Sequence, residues 1–202
     1  MAYMKVITGP MFSGKTEELI RILHRGEIAG KKILVIKPKI DIRTANEIAS
    51  RRKVDSTSGE FKKYSSFSAH PVGSAAEALS LINIHQPSIL GIDEAQFFDE
   101  WMIEFLSEFL KNNADNDLMV VVAGLDMDAW ARPFGIMPKL MTIADIVQKE
   151  TAICFVCKKP AMLTQKLSES ASQVEVGDAE IYEARCRTCH YVPKQYQKRL
   201  FS

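Results

Sequence analysis

The octapeptide Gly9-Pro10-Met11-Phe12-Ser13-Gly14-Lys15-Thr16 constrains this chain more than any other stretch. It follows an apolar, β-prone run at residues 4–8. It opens residues 15–28, where Leu19, Ile22 and Leu23 recur on one face of a helix. Spaced glycines let the backbone curl so that successive N–H groups converge on one point, and the positive end of the helix reinforces them. Strand, glycine turn and helix in that order make a G-x-x-x-x-G-K-[ST] phosphate loop. Its eight residues are expected to hold a nucleotide, Lys15 reaching the β- and γ-phosphates and the Thr16 hydroxyl ligating Mg²⁺. A chance match in a turn is the competing reading, and the flanking strand and helix speak against it.

Such a loop needs an acid at the end of a neighbouring strand. The run at residues 89–92 supplies it, ending in Asp93-Glu94. Asp93 is the natural Mg²⁺ partner, directly or through water. Glu94, beside the γ-phosphate, can take the proton of an attacking hydroxyl or water; equally, an acid at a strand end can cap a helix. Neither role decides between water and an alcohol as acceptor.

Apolar runs at 4–8, 32–36, 89–92, 118–123 and 143–147 alternate with helical patterns at 15–28, 74–84 and 100–110. That alternation predicts an α/β fold with a mainly parallel sheet flanked by helices. Trp101, Phe105 and Phe109, four apart, read as core packing. Residues 38–68 are polar and read as a long, partly ordered loop. Composition shifts near 151, so two units are expected: residues 1–150 for the nucleotide and 151–202 for a smaller C-terminal unit. The charges, 26 Lys+Arg against 25 Asp+Glu, argue against a sequence-independent nucleic-acid binder. The longest apolar runs fall far short of the ~20 residues a spanning helix needs. With no targeting signal at the N-terminus, no membrane partner and a cytoplasmic location are expected.

All four cysteines lie past the boundary, as Cys154-x2-Cys157 and Cys186-x2-Cys189 with 28 residues between the pairs. Each pair offers two thiolates from one turn, and two turns complete a tetrahedral Zn²⁺ site with no open position. Such a zinc is structural. His190 is a lesser candidate ligand. A 28-residue insert closed at its base by metal can serve as a lid.

Three features coincide: the octapeptide 9–16, Asp93-Glu94-Ala95-Gln96-Phe97-Phe98, and the paired cysteines. In combination the chain resembles the type II thymidine kinases over nearly its whole length, with further matches at Lys37-Pro38, Asp41-Ile42-Arg43, Gly124-Leu125-Asp126, Pro133-Phe134-Gly135 and Tyr182. The resemblance implies transfer of the ATP γ-phosphate to the 5′-hydroxyl of thymidine or deoxyuridine, in salvage of pyrimidine deoxynucleotides. It also implies a RecA-like core, a zinc-ribbon-like C-terminal domain with a lasso loop over the nucleoside, a homotetramer, and feedback inhibition by thymidine triphosphate. Glu94 becomes the general base and Arg43 a group that neutralises the transferring phosphate, with Lys15 also catalytic. Asp93, Glu94, Ala95 and Gln96 join the phosphate loop around the nucleotide.

For the nucleoside, Met11, Phe98, Leu125, Phe134 and Tyr182 are the expected contacts, with Phe97 a further wall. Val174, Val176 and Gly177 supply backbone contacts to the base. Two departures from the family pattern fall here. Ala129-Trp130-Ala131 stands where the family usually has a Phe-Arg pair, which makes Trp130 a pocket candidate. Gly177-Asp178 replaces a common Gly-Gly. The rivals are a zinc-ribbon P-loop ATPase acting on nucleic acid, with residues 194–199 as its basic contact, and a nucleotide-gated interaction protein. The first lacks a second ATPase lobe and a basic face. The second has no special need of Glu94.

Overall fold

The computed structural model describes residues 1–41, 46–53, 61–167 and 181–193, giving the backbone alone for residues 51–53 and 61–64. From the N-terminus, β1 (Tyr3–Thr8) leads through the glycine loop into α1 (Lys15–Ile28), then β2 (Ile33–Pro38). An antiparallel hairpin follows, β3 (Glu47–Lys53) and β4 (Phe61–Ser68), and then β5 (His70–Val72) and α2 (Ala75–His85). Next come β6 (Ile89–Ile92), a 3-10 turn at Ala95–Phe97, α3 (Trp101–Asn112), β7 (Met119–Gly124), α4 (Met137–Ile143) and β8 (Ile146–Lys149).

Six of these strands form one sheet in the order β5-β2-β6-β7-β1-β8, and every pairing is parallel. The period-two alternation of strand side chains splits the core in two. Leu34, Ile36, Val120 and Val122 face α2, α3 and α4, whose Ala78, Ile82, Met102, Leu106, Met137 and Leu140 close that side. Val35, Val121 and Ala123 face α1, which buries Leu19, Ile20 and Leu23 essentially completely. Each of those three stabilises the fold by roughly 1.5–3 kcal/mol relative to exposure. Both faces of the sheet are therefore covered, and its carboxyl edge, where β1, β6 and β7 end side by side, is the place a ligand is received.

Two expectations change. The stretch 38–68, expected as a loop, contains the β3–β4 hairpin, and β5 follows it at the sheet edge. The hairpin hid because its described residues bury a polar as well as an apolar side chain: Ile48 and Ser50 are buried, and Ile48 and partly buried Phe67 pack on the α1 side. The fifth apolar run, 143–147, is split between two elements. Ile143 ends α4 and packs on the core, while Ile146 and Val147 stand on edge strand β8, each more than two-fifths exposed.

Beyond β8 the chain forms two short antiparallel ribbons, β9 (Ala152–Ile153) with β10 (Pro160–Ala161), and β11 (Leu163–Lys166) with β12 (Tyr182–Arg185). A small apolar cluster unites them, with Ala152, Cys154, Ala161, Ala184 and Cys186 buried at its centre. Among the described residues no helix is long and apolar enough to cross a membrane.

Candidate active site

The phosphate loop takes its shape from where it must pass. Gly9 has φ 142°, and a Cβ there would lie 2.4 Å from the carbonyl oxygen of Glu150, so only glycine fits. Gly14, at φ 86°, turns the chain into α1 as its N-cap. No side chain caps that end. By contrast α2 is capped within the protein: Ser74 Oγ accepts from the Glu77 N–H at 3.3 Å. Helix α1 thus presents uncapped N–H groups beside the glycine loop, the arrangement an anion selects. The Ser13 hydroxyl is buried beside them without a hydrogen-bond partner, which a phosphate oxygen would supply. Lys15 Nζ donates to the Pro10 carbonyl at 2.6 Å, placing its ammonium across the loop.

Helix α1 and strand β6 bring the metal-binding candidates together. Thr16 Oγ1 lies 3.3 and 3.2 Å from the two carboxylate oxygens of Asp93. Asp93 is 6% exposed, and its N–H donates to the Ile36 carbonyl at 3.2 Å, which fixes the strand end. A hydroxyl and a carboxylate on one face suit Mg²⁺, a hard ion that takes few protein oxygens and keeps water. Glu94 follows with φ 52° and ψ 40°, a left-handed conformation unusual for a non-glycine residue. Strand β6 ends just before it, and the 3-10 turn at Ala95–Phe97 begins just after. Ala95 is fully buried, and the Gln96 side chain turns inward to Glu94 and Leu125.

Lys37, at the end of β2, is fully buried and pairs with Asp41 at 3.0 Å. Since Ile36 is in register with Ile92, Lys37 stands next to Asp93 at the carboxyl edge. Arg43 lies outside the described residues, as do Val174, Val176, Gly177, Asp178 and residues 194–199.

The aromatic candidates divide. Phe134 is buried and meets Phe97 edge-on at 5.7 Å. Phe98 belongs to the main core, edge-on to Trp101 at 5.6 Å. Residues 126–134 form a tight excursion: Asp128 Oδ1 accepts from the N–H groups of Trp130 and Arg132, each at 2.9 Å. Trp130 carries the Arg132 guanidinium over its ring, 5.4 Å from the centroid. Tyr182 is buried on β12.

One residue the sequence reading passed over is Thr164. Its hydroxyl accepts from the Met11 N–H at 3.0 Å, tying β11 to the phosphate loop. A threonine in a short ribbon carries no pattern that announces such a bond. A second tie is aromatic: Phe12, at φ 65°, packs on Phe155 with ring centroids 5.6 Å apart.

The four cysteine sulfurs lie within 4.8 Å of one another, and none is in a disulfide. Zn–S bonds of about 2.3 Å in a tetrahedron place sulfurs about 3.8 Å apart, so the set fits zinc. Burial opposes ionisation of Cys154, but N–H groups of Cys157, Cys186 and Val156 overcome it and lower the thiol to about 6. Cys189, hydrogen-bonded to the Cys186 and Cys157 sulfurs and close to Cys154, is pushed up to about 12. Four thiolates in contact need a cation to coexist. His190 stands apart from them: its Nε2 lies 3.1 Å from the Ala129 carbonyl, and burial lowers its pKa.

Sheet, phosphate loop and strand-end acids define a P-loop α/β protein. The sequence profile of the family described as thymidine kinase matches residues 2–190. A curated thymidine kinase of Mycoplasmoides gallisepticum (strain R(low / passage 15 / clone 2)) is 38% identical over 199 residues, covering 96% of this chain and 83% of that protein. The chain belongs to the thymidine kinase family.

Proposed function

We propose that the protein transfers the γ-phosphate of ATP to the 5′-hydroxyl of thymidine, with deoxyuridine as an alternative acceptor, in pyrimidine deoxynucleotide salvage. One observation supports this most: Thr16 of the loop lies within 3.3 Å of the Asp93 carboxylate at the end of β6, one strand removed from β1, with Lys15 and Glu94 as their chain neighbours. The loop residues 9–16 bind the phosphates. Thr16 and Asp93 hold Mg²⁺, which when bound offsets phosphate charge. Glu94 accepts the 5′-hydroxyl proton as its oxygen attacks the γ-phosphorus; the bond to the β,γ-bridging oxygen breaks, and ADP leaves with that oxygen. Lys15 and Arg43 stabilise the charge on the transferring group.

The nucleoside reading uses Met11, Leu125, Phe134 and Tyr182, with backbone contacts from Val174, Val176 and Gly177. Phe98, packed edge-on to Trp101, is a further contact in this reading. Residues 1–150 serve ATP, and 151–202, held by structural zinc on the four cysteines, cover the nucleoside. Assembly as a homotetramer agrees with the exposed Ile146 and Val147 of edge strand β8, and a thymidine triphosphate inhibitor with a site shaped for both thymidine and phosphate. A cytoplasmic setting, with thiols kept reduced, suits the cysteine site.

The test is phosphorylation of thymidine by the purified protein with Mg-ATP. Glu94→Gln should lose it by about 100-fold or more while retaining ATP binding. Label appearing only as inorganic phosphate, with or without DNA, overturns the proposal.

A further inference from the structure

We propose that Gln96 is a positioning residue for the Glu94 carboxylate and fixes it against the floor of the acceptor pocket; this rests on the reading of Glu94 as base. Gln96 is 3% exposed and sits in the 3-10 turn after β6. Its Nε2 donates to Glu94 Oε2 at 2.5 Å, and its Oε1 accepts from the Leu125 N–H at 2.9 Å. The second bond decides the amide's orientation. A main-chain N–H only donates, so the oxygen must face Leu125 and the NH₂ must face the carboxylate.

Two glycines make room for this side chain and its turn. A Cβ on Gly124, the last residue of β7, would lie 2.8 Å from Gln96 Oε1. A Cβ on Gly135, which has φ 50°, would lie 2.1 Å from the Gln96 carbonyl oxygen. Gly124 is itself held from β1, since its carbonyl accepts from the Thr8 hydroxyl at 3.0 Å. The amide is thereby braced by the ends of three adjacent strands. It passes that rigidity to Glu94, whose left-handed backbone fixes the start of the side chain but not its end.

The chemistry follows from the donor. An N–H bond to Oε2 holds one carboxylate oxygen in a fixed place relative to Leu125. When the acceptor's proton arrives on Oε1, Oε2 keeps its bond to Gln96, so proton transfer costs no reorganisation there. Leu125 belongs to the expected nucleoside wall, so the base and the acceptor are referenced to the same peptide. A carboxylate and a hydroxyl aligned by a shared anchor do not have to find each other after binding.

Two substitutions test this in the full chain. Gln96→Met keeps the shape without the polar atoms; kcat for thymidine should fall on the order of 10–100-fold with KM changed by less than about three-fold. Gln96→Glu keeps an acceptor for Leu125 but sets a carboxyl against Glu94. The acidic limb of its kcat/KM–pH profile should move up by at least about one pH unit, because two adjacent carboxyls share a proton. An unmoved limb in Gln96→Glu overturns the proposal, and so does an unchanged kcat in a folded Gln96→Met. If Gln96→Met does not fold, the limb in Gln96→Glu decides alone. Glu94→Gln, run beside them, separates the failures: full activity there sinks the base assignment itself, whereas a dead Glu94→Gln beside unaffected Gln96 variants sinks only the positioning role.

Discussion

Replacing Gly9 by Ala adds one methyl where the main chain leaves no space. The new Cβ would stand 2.4 Å from the Glu150 oxygen and 3.1 Å from both the Glu150 carbonyl carbon and Ser13 Oγ. No side-chain rotation relieves the clash with a carbonyl. That carbonyl is also tethered, because the Glu150 N–H donates to the Thr8 oxygen at 2.7 Å, one residue before the substitution. The φ of 142° adds backbone strain for an L side chain, about 1–3 kcal/mol, and overpacking adds about as much again. Stability should therefore fall by about 2–5 kcal/mol. Ordinary contact requires the loop and the Glu150 peptide to part by about 1 Å, and displacement on that scale in a positioning element costs on the order of 100-fold in rate. Gly30→Ala is the control: φ is 69°, but nothing lies within 4 Å of its added Cβ. It should lose only about 1–2 kcal/mol and keep its rate. The assays are urea unfolding and kcat/KM for thymidine phosphorylation. If Gly9→Ala matches Gly30→Ala in both, the steric argument for the loop is wrong.

Two further outcomes are expected. Metal analysis should find about one zinc per chain; chelation should lower the thermal midpoint and also weaken ATP binding, because Phe12 and Met11 rest on the cysteine-bearing segment. Unchanged nucleotide affinity in the stripped, folded protein would refute that link. Lys37→Met should destabilise by about 3–5 kcal/mol in urea unfolding, since it removes the cation from a buried pair with Asp41; a loss below about 1 kcal/mol would show the pair to be dispensable.

What could be read from the sequence was what local chemistry dictates. The octapeptide carries the glycines its turn needs, and Asp93-Glu94 closes an unbroken apolar strand, so both were visible without coordinates. Paired cysteines needed only their spacing. The β3–β4 hairpin escaped because the alternation at residues 47–50 buries apolar Ile48 but polar Ser50, so no apolar period marks it. Thr164 escaped for another reason, and so did the bonds of Gln96, a residue expected only near the nucleotide. Each makes a hydrogen bond to a residue far along the chain, 153 positions away for Thr164 and 29 for Gln96. For Phe98, an aromatic beside an acid pair, the sequence offers a pocket wall; its packing against Trp101 is decided by how α3 lies, which no local pattern states.

The contact between Phe12 and Phe155 has a consequence for modularity. Phe155 lies within the first cysteine turn, and Phe12 occupies the middle of the phosphate loop in a left-handed conformation that a side chain adopts only when held. The loop's shape is thus partly borrowed from the far end of the chain. Transplanting residues 9–16 into another parallel sheet would carry the motif but not its buttress. A change in the turn between Cys154 and Cys157 therefore reaches the loop through Phe155, and the two segments are coupled wherever that contact is kept.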